Sequence, residues 1–323
     1  MTTESSEILN PPATTPAIPA ITVENLTKTY RTGFWLNQQV NSLKACSLTV
    51  QTGETFGLLG ANGAGKTTLL KLLLGIIQPT SGTASLLGHD LGDRLSRQKI
   101  GYLPENAYYY DYLTGWELLD FMGSMFGIAA RHRTDRIAEL LDLVGLSQLT
   151  ARKKQIRQYS KGMVQRIGLA QALINDPELV FLDEPMSGLD PVGRYQIREI
   201  ILTLKQQGKT VFFNSHILSD VELICDRIGI LHRGELIAIG TLNELLGTDQ
   251  TFQVSGHGGS IEKLQPWIKH LELQNNSWHG TLSADPQAFL KFLPEINASL
   301  VSMNLSRQTL EEFFISQIQA QPN

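Results

Sequence analysis

Apolar positions recur along this chain in two rhythms, one of period two and one of helical spacing, and the changes of rhythm mark its elements. Ile21-Thr22-Val23-Glu24-Asn25-Leu26 alternates as a half-buried strand does. Leu43 to Val50 alternates again, with Leu48 and Val50 on one face. Glu54-Thr55-Phe56-Gly57-Leu58-Leu59 predicts a short apolar strand. It runs at once into Gly60-Ala61-Asn62-Gly63-Ala64-Gly65-Lys66-Thr67-Thr68, after which Leu69, Leu70, Leu72, Leu73 and Leu74 predict a buried helix. The order is strand, glycine-rich turn, helix. Farther on, Leu179-Val180-Phe181-Leu182 is a continuous apolar run, the pattern of a strand covered on both faces of a parallel sheet. Thr210 to Phe213 predicts another apolar strand.

Between these strands the rhythm is helical. Thr114-Gly115-Trp116-Glu117 is a capping box. Trp116, Leu119, Met122 and Phe126 follow at helical spacing, and Leu118, Phe121 and Met125 widen the stripe. Ile137, Leu140, Leu141 and Val144 form a second stripe that stops at Gly145. A further helix is expected from about Met163 to Ile174. Just ahead of this region, Asn106-Ala107-Tyr108-Tyr109-Tyr110-Asp111-Tyr112 places four tyrosines in five positions. That is too aromatic for an ordinary solvated loop.

Residues 247–323 predict a strand at Thr251 to Ser255, a helix at Ile261 to Lys269 with Pro266 inside it, and a strand at Ser277 to Ser283. A helix at Pro286 to Leu293, a strand at Leu300 to Leu305 and a closing helix capped by Thr309-Leu310-Glu311-Glu312 follow. This βαββαβ-like order suits a small α+β domain. It carries no catalytic cluster, which leaves regulation, dimer contact or stability as its roles. Residues 1–20 carry Pro11, Pro12, Pro16 and Pro19 among Thr, Ser and Ala, without Lys or Arg. They read as a disordered tail, with a docking peptide as the functional alternative.

Composition narrows the class. At roughly 150 residues per domain, 323 residues suggest two domains. A hydrophobic fraction of 42% and a charged fraction of 18% exclude a wholly disordered chain. A net charge of −4 provides no global basic field for nucleic acid. No apolar run approaches the roughly 18 residues of a membrane span, and Leu69 to Ile77 is broken by Lys71 and Gly75. Two cysteines far apart, Cys46 and Cys225, suit a reducing compartment better than a disulfide framework.

The glycine-rich turn matches the phosphate-binding pattern G-x-x-x-x-G-K-[ST], with Gly60, Gly65, Lys66 and Thr67 in the fixed places. Its glycines let successive N–H groups of Asn62, Gly63, Ala64 and their neighbours turn inward as an anion nest. The positive end of the following helix faces the same phosphates. Lys66 can reach the β- and γ-phosphates, and the Thr67 hydroxyl can bind Mg²⁺. The apolar run from Leu179 ends in Asp183-Glu184. There Asp183 is placed to hold Mg²⁺, and Glu184 is the candidate general base for the attacking water.

Four further segments line up with these. Thr27-Lys28-Thr29-Tyr30 lies upstream, and Tyr159-Ser160-Lys161-Gly162-Met163-Val164-Gln165-Arg166 lies between the two motifs. Pro185-Met186-Ser187-Gly188-Leu189-Asp190 follows Glu184, and Phe212-Phe213-Asn214-Ser215-His216 closes the set. Over residues 21–246 the chain strongly resembles the ATPase subunit of an ATP-binding cassette (ABC) transporter. The resemblance implies an α/β P-loop NTPase core with a helical subdomain at about residues 106–175, followed by the small α+β domain.

The resemblance also assigns roles. Tyr30 is similar to the aromatic that stacks on adenine. Ser160 and Gly162 are similar to the signature segment that caps the γ-phosphate held by the opposite subunit. Asp190 resembles the aspartate that links the two sites, and His216 the histidine that contacts the γ-phosphate and helps hold the water. Thr68 belongs to the same nucleotide loop. Glu105 stands where the family usually has the glutamine that senses Mg²⁺ and the membrane partner. Lys161 and Met163 replace the usual glycine and glutamine of the signature, which puts a positive charge near the partner's nucleotide.

The expected cofactors are therefore ATP and Mg²⁺. The expected partners are an integral-membrane permease and a second copy of the chain, or a paralogous ATPase. Two copies would close head to tail on ATP at the inner face of the cell membrane, in the cytoplasm. By analogy, the tyrosine run receives a coupling helix of the permease, the alternative being packing onto the helical subdomain. The ending Thr309-Leu310-Glu311-Glu312-Phe313-Phe314 resembles the terminus of the ABC-2 export branch. A soluble ABC protein of ribosomes or DNA generally carries two cassettes or long coiled coils; here there is one phosphate loop and no long heptad run, and no nucleic-acid partner is expected. A metabolic P-loop kinase does not account for the motif set.

Overall fold

The computed structural model describes residues 18–32, 38–247, 251–274, 277–306 and 309–319. The chain divides into two units between Ile239 and Gly240.

The first unit opens with β1 (Ile21–Thr32) and β2 (Gln38–Val50), which pair antiparallel. Their alternation buries Ile21, Val23, Leu26, Leu48 and Val50 on one face. β3 (Thr55–Leu59) is buried at every position and leads into α1 (Lys66–Leu73). β4 (Ser81–Leu86) and β5 (His89–Asp90) complete the antiparallel sheet, in the order β2-β1-β4-β5. The short α2 (Arg94–Gln98) then returns the chain to β6 (Ile100–Leu103).

The helical stretch follows as α3 (Gly115–Met125), α4 (Ala130–Leu143), α5 (Gln148–Lys153) and α6 (Lys161–Ala172). The capping box at Thr114 forms: its N–H donates to Glu117 Oε2 at 2.8 Å, and Glu117 N–H donates back to Thr114 Oγ1 at 3.2 Å. Arg152 of α5 lies over the Trp116 ring at 3.2 Å and covers its face.

The chain re-enters the core as β7 (Leu179–Asp183), α7 (Pro191–Gln206), β8 (Thr210–Ser215), α8 (Leu218–Ile224), β9 (Arg227–His232) and β10 (Glu235–Thr241). The central sheet has the order β10-β9-β3-β8-β7-β6. The pairings β3 with β8 and β9, and β7 with β6 and β8, are parallel. Buried on both faces, β7 and β8 carry the continuous apolar runs Leu179 to Leu182 and Val211 to Phe213, which is why their sequences do not alternate. Phe212 of β8 sits between Phe56 and Phe181, 5.5 Å from each ring, and locks three neighbouring strands together.

Two boundaries differ from the sequence reading. Ile18 to Ala20, assigned to the tail, are packed: Ala20 is fully buried, its carbonyl accepts from Leu87 N–H, and the Ile18 carbonyl accepts from Thr52 Oγ1. Residues 1–17 of the expected tail lie outside the described residues. The division between units also falls earlier than residue 246. α9 (Leu242–Leu246) opens on a capping box at Thr241 and packs against α12, below, within the second unit.

The second unit comprises β11 (Thr251–Gly258), α10 (Ile261–Leu264), β12 (Ile268–Gln274), β13 (Ser277–Leu282), α11 (Pro286–Phe292), β14 (Ala298–Ser306) and α12 (Leu310–Gln319). Its sheet is antiparallel in the order β12-β13-β11-β14, a split β–α–β arrangement. The helix expected over Ile261 to Lys269 stops at Leu264. Pro266 has no N–H for the next helical bond, and Ile268 instead enters the core as the first residue of β12. Trp278 anchors that core at 2% exposure and donates from Nε1 to the Gly258 carbonyl at 3.0 Å. Gly256 is required beneath it, because a Cβ there would run into the indole.

Candidate functional site

The site is assembled at the ends of three neighbouring parallel strands. β3 delivers Gly60, whose missing side chain lets the loop approach Leu231: a Cβ there would strike the Leu231 carbonyl. Gly65 closes the loop at φ 109°, in the region open to glycine, with the Ser42 carbonyl against it. α1 starts at Lys66, so its N-terminal dipole faces the loop. The Lys66 side chain is 7% exposed and donates from Nζ to the Gly60 carbonyl at 2.6 Å. It folds back over the loop that carries it. The Thr68 and Ser42 hydroxyls share a hydrogen bond of 2.7 Å at the base of the loop.

A cleft of about 440 Å³ lies over this loop, lined by residues Ala61 to Thr68 and faced by Glu105, Glu184, Ser187 and His216. β7 ends at Asp183, and the next residue, Glu184, which lines the cleft, turns into left-handed backbone at φ 50°. That conformation is strained for a residue with a Cβ. Glu184 N–H donates to the Asn214 carbonyl at 3.2 Å, which holds the turn. The Glu184 carboxylate is bracketed by two bases. Oε2 lies 2.7 Å from His216 Nδ1, and Oε1 lies 3.6 Å from Lys66 Nζ.

Asp183 is buried beside it, and its Oδ1 accepts from Asn214 Nδ2 at 2.9 Å. Burial pushes the Asp183 carboxyl above its ordinary value. The Asn214 bond opposes that rise, Glu105 and Glu184 add to it by repulsion, and Lys66 offsets part of it. Asn214 is fully buried in β8. Its sequence signal is an amide that directly follows the apolar run Val211 to Phe213 within one strand.

The remaining expected residues lie apart from this cleft. Tyr30 is on β1, paired with Val40, with the Lys28 ammonium 5.2 Å from its ring. Ser160 caps α6, its Oγ accepting from Met163 N–H at 3.3 Å, and Gly162 lies in the first turn. Asp190 caps α7, its Oδ1 accepting from Gly193 N–H at 2.7 Å. Lys161 lays its ammonium over Gly188, where any side chain would collide with it. The signature segment and the loop after Glu184 thus touch within one chain.

The tyrosine run is split. Tyr108, Tyr110 and Tyr112 are exposed, Tyr108 almost completely at 98%. Tyr109 turns inward and seats its hydroxyl against Gly168 of α6, and burial pushes its phenol up. Tyr110 meets Phe121 of α3 edge to face at 6.4 Å. A larger groove of about 1030 Å³ lies between α2 and the turn joining α3 to α4, and carries none of the nucleotide motifs.

The ABC transporter family model matches residues 43–187. An uncharacterized ABC transporter ATP-binding protein of Synechocystis sp. is 61% identical over 305 residues, 94% of this chain and 86% of the relative. The chain belongs to the ABC transporter ATP-binding proteins. Bacitracin transport ATP-binding protein BcrA of Bacillus licheniformis is 33% identical over 86% of this chain and 92% of its own. A dimeric ATP-binding cassette solved in a post-hydrolysis state with ADP and Pi is 26% identical, with a TM-score of 0.63 over 69% of this chain and 98% of that one. The protein is an ATP-binding, ATP-hydrolysing subunit of an ABC transporter, built on the P-loop NTPase fold. Among the described residues no helix is long and apolar enough to cross a membrane.

Proposed function

We propose that this subunit drives export by closing head to tail with a second copy, or with a paralogous ATPase, around two ATPs. The observation that carries the catalytic reading is the Glu184 carboxylate, bracketed by His216 and Lys66 at the mouth of the phosphate-loop cleft. ATP phosphates lie against the N–H groups of the loop from Gly60 to Thr67, and Lys66 turns from the Gly60 carbonyl to the β- and γ-oxygens. Glu184 accepts a proton from the attacking water. His216, donating from Nδ1, keeps that carboxylate aimed. Ser160 and Gly162 cap the γ-phosphate held by the other copy, and Asp190 joins the two sites. Tyr30 lies beside the adenine.

Thr67, Asp183 and Glu105 would hold Mg²⁺. They are hard oxygen donors, and the mutual repulsion of Asp183, Glu105 and Glu184 is the surplus of negative charge that a dication answers. When bound, Mg²⁺ neutralises charge on the phosphate oxygens.

The membrane partner is an integral-membrane permease, with the subunit peripheral to it on the cytoplasmic side. The exposed Tyr108, Tyr110 and Tyr112, continuing into exposed Phe121 and Met125, support this aromatic face as its docking surface. The export direction is supported by the resemblance of the ending from Thr309 to Phe314 to the terminus of the ABC-2 export branch.

The deciding experiment is Glu184→Gln. It should bind ATP, dimerise, and hydrolyse at least about 10²-fold more slowly. Hydrolysis at the wild-type rate would remove Glu184 from the role of base.

A further inference from the structure

Asp220 is an acid buried where no donor meets one of its oxygens. It lies in the first turn of α8, the helix that starts just after His216 and Ile217. The residue is 7% exposed, and its Oδ2 has no hydrogen-bond partner. A carboxylate in that position is costly for the fold, because burial without hydrogen bonds disfavours the charge. The first turn of α8 favours an acid, but it supplies no hydrogen bond to Oδ2.

Two cations of α7 act on it from a distance. Burial pushes the Asp220 carboxyl up, and Arg194 and Arg198 oppose the rise. Neither guanidinium donates to Oδ2. Both are engaged elsewhere. Arg198 lies over the Tyr195 ring at 5.2 Å. Arg194 donates from Nε to the Leu189 carbonyl at 3.2 Å, in the loop that ends at Asp190. Asp190 in turn caps α7 at Gly193. One arginine therefore braces the loop next to Asp190 while a buried carboxylate with one unsatisfied oxygen lies on the helix that follows His216.

We propose that Asp220 is a positioning residue, and that Arg194 exchanges the Leu189 carbonyl for Asp220 when two ATP-loaded copies close. The exchange ties the helix behind His216 to the helix that Asp190 caps, and frees the Leu189 carbonyl so that the loop can adjust to the partner copy. The proposal rests on the closure reading given above and adds to it the contact that couples the two segments. It requires nothing of the nucleotide cleft itself.

The test uses the full chain carrying Glu184→Gln, so that dimers persist, with Asp220→Asn, Arg194→Gln and the double variant added. ATP-driven dimerisation is followed by sedimentation, nucleotide binding to the monomer by a fluorescent ATP analogue, and melting temperature without nucleotide. Each single variant should raise the ATP concentration for half-dimerisation about tenfold. The double variant should do no worse than the poorer single one, because both remove the same contact. Monomer binding should be unchanged, and Asp220→Asn should melt no lower than its parent, since it removes a buried charge with an unsatisfied oxygen.

Wild-type dimerisation by both single variants, additive losses in the double variant, or a loss that tracks a lowered melting temperature would each overturn the proposal. So would coupling to Arg198→Gln in place of Arg194→Gln. Failure of the Glu184→Gln parent to dimerise with ATP would sink the closure reading instead, which keeps the two claims separate.

Discussion

His216 Nδ1 and Glu184 Oε2 lie 2.7 Å apart although their residues follow different strands. The contact exists because β7 and β8 pair in parallel register, Asp183 opposite Asn214, so the residues just beyond both strand ends converge. The histidine is about half exposed and the carboxylate almost fully buried. The histidine is thus the movable member of the pair and the carboxylate the fixed one.

His216→Ala should therefore lower kcat by about 10²-fold, in the range of general acid–base contributions. The ATP dissociation constant should change little, since Lys66 and the loop still hold the phosphates. Single-turnover kinetics beside equilibrium binding separate the two. A matching loss in both would place His216 in binding.

Asp183 has a folded-state pKa above its unfolded value, so the stability linked to it is present at low pH and is lost as pH rises through the folded value. At neutral pH without nucleotide, Asp183→Asn should accordingly melt roughly 2–4 °C higher than wild type. The gain should vanish as pH falls toward the ordinary carboxylate range of about 4. The same variant should lose ATP hydrolysis supported by Mg²⁺. Scanning calorimetry across pH, with and without Mg²⁺ and ATP, reads both.

Gly168→Ala should destabilise the first unit by about 1–3 kcal/mol. The new methyl meets the Tyr109 hydroxyl and Leu103 together. Adding Tyr109→Phe should recover part of the loss by removing one obstacle. Urea denaturation of the three proteins gives the comparison, and no recovery would mean that the Leu103 contact dominates.

Tyr108→Ser with Tyr112→Ser should leave stability within about 0.5 kcal/mol, because both side chains are exposed. Basal ATP hydrolysis should persist. What should fall is the yield of any membrane protein that co-purifies with the tagged subunit from detergent extracts. Unchanged recovery would move the docking surface elsewhere.

Legibility from sequence followed locality. Lys66 and Thr67 were readable because a phosphate loop requires contiguous residues, and Asp183-Glu184 because a buried strand announces its own end. The left-handed turn at Glu184 and the grip of Asn214 on Asp183 were not, since both depend on a strand met many residues later. The Asp190 cap was legible in principle. An N-cap acid followed by Pro191 at the first helical position is a known helix start. In the second unit, helical spacing ran past Pro266 because periodicity alone cannot register that Ile268 is needed in the core that holds Trp278.

The inward turn of Tyr109 between two outward tyrosines fixes the length of the segment that follows Pro104. Surface loops usually tolerate insertions, yet one extra residue ahead of Tyr109 would bring a neighbour into the notch at Gly168 and throw Tyr109 into solvent. The segment has a reading frame. A partner that recognises its outer face is recognising a count of residues as much as their kind.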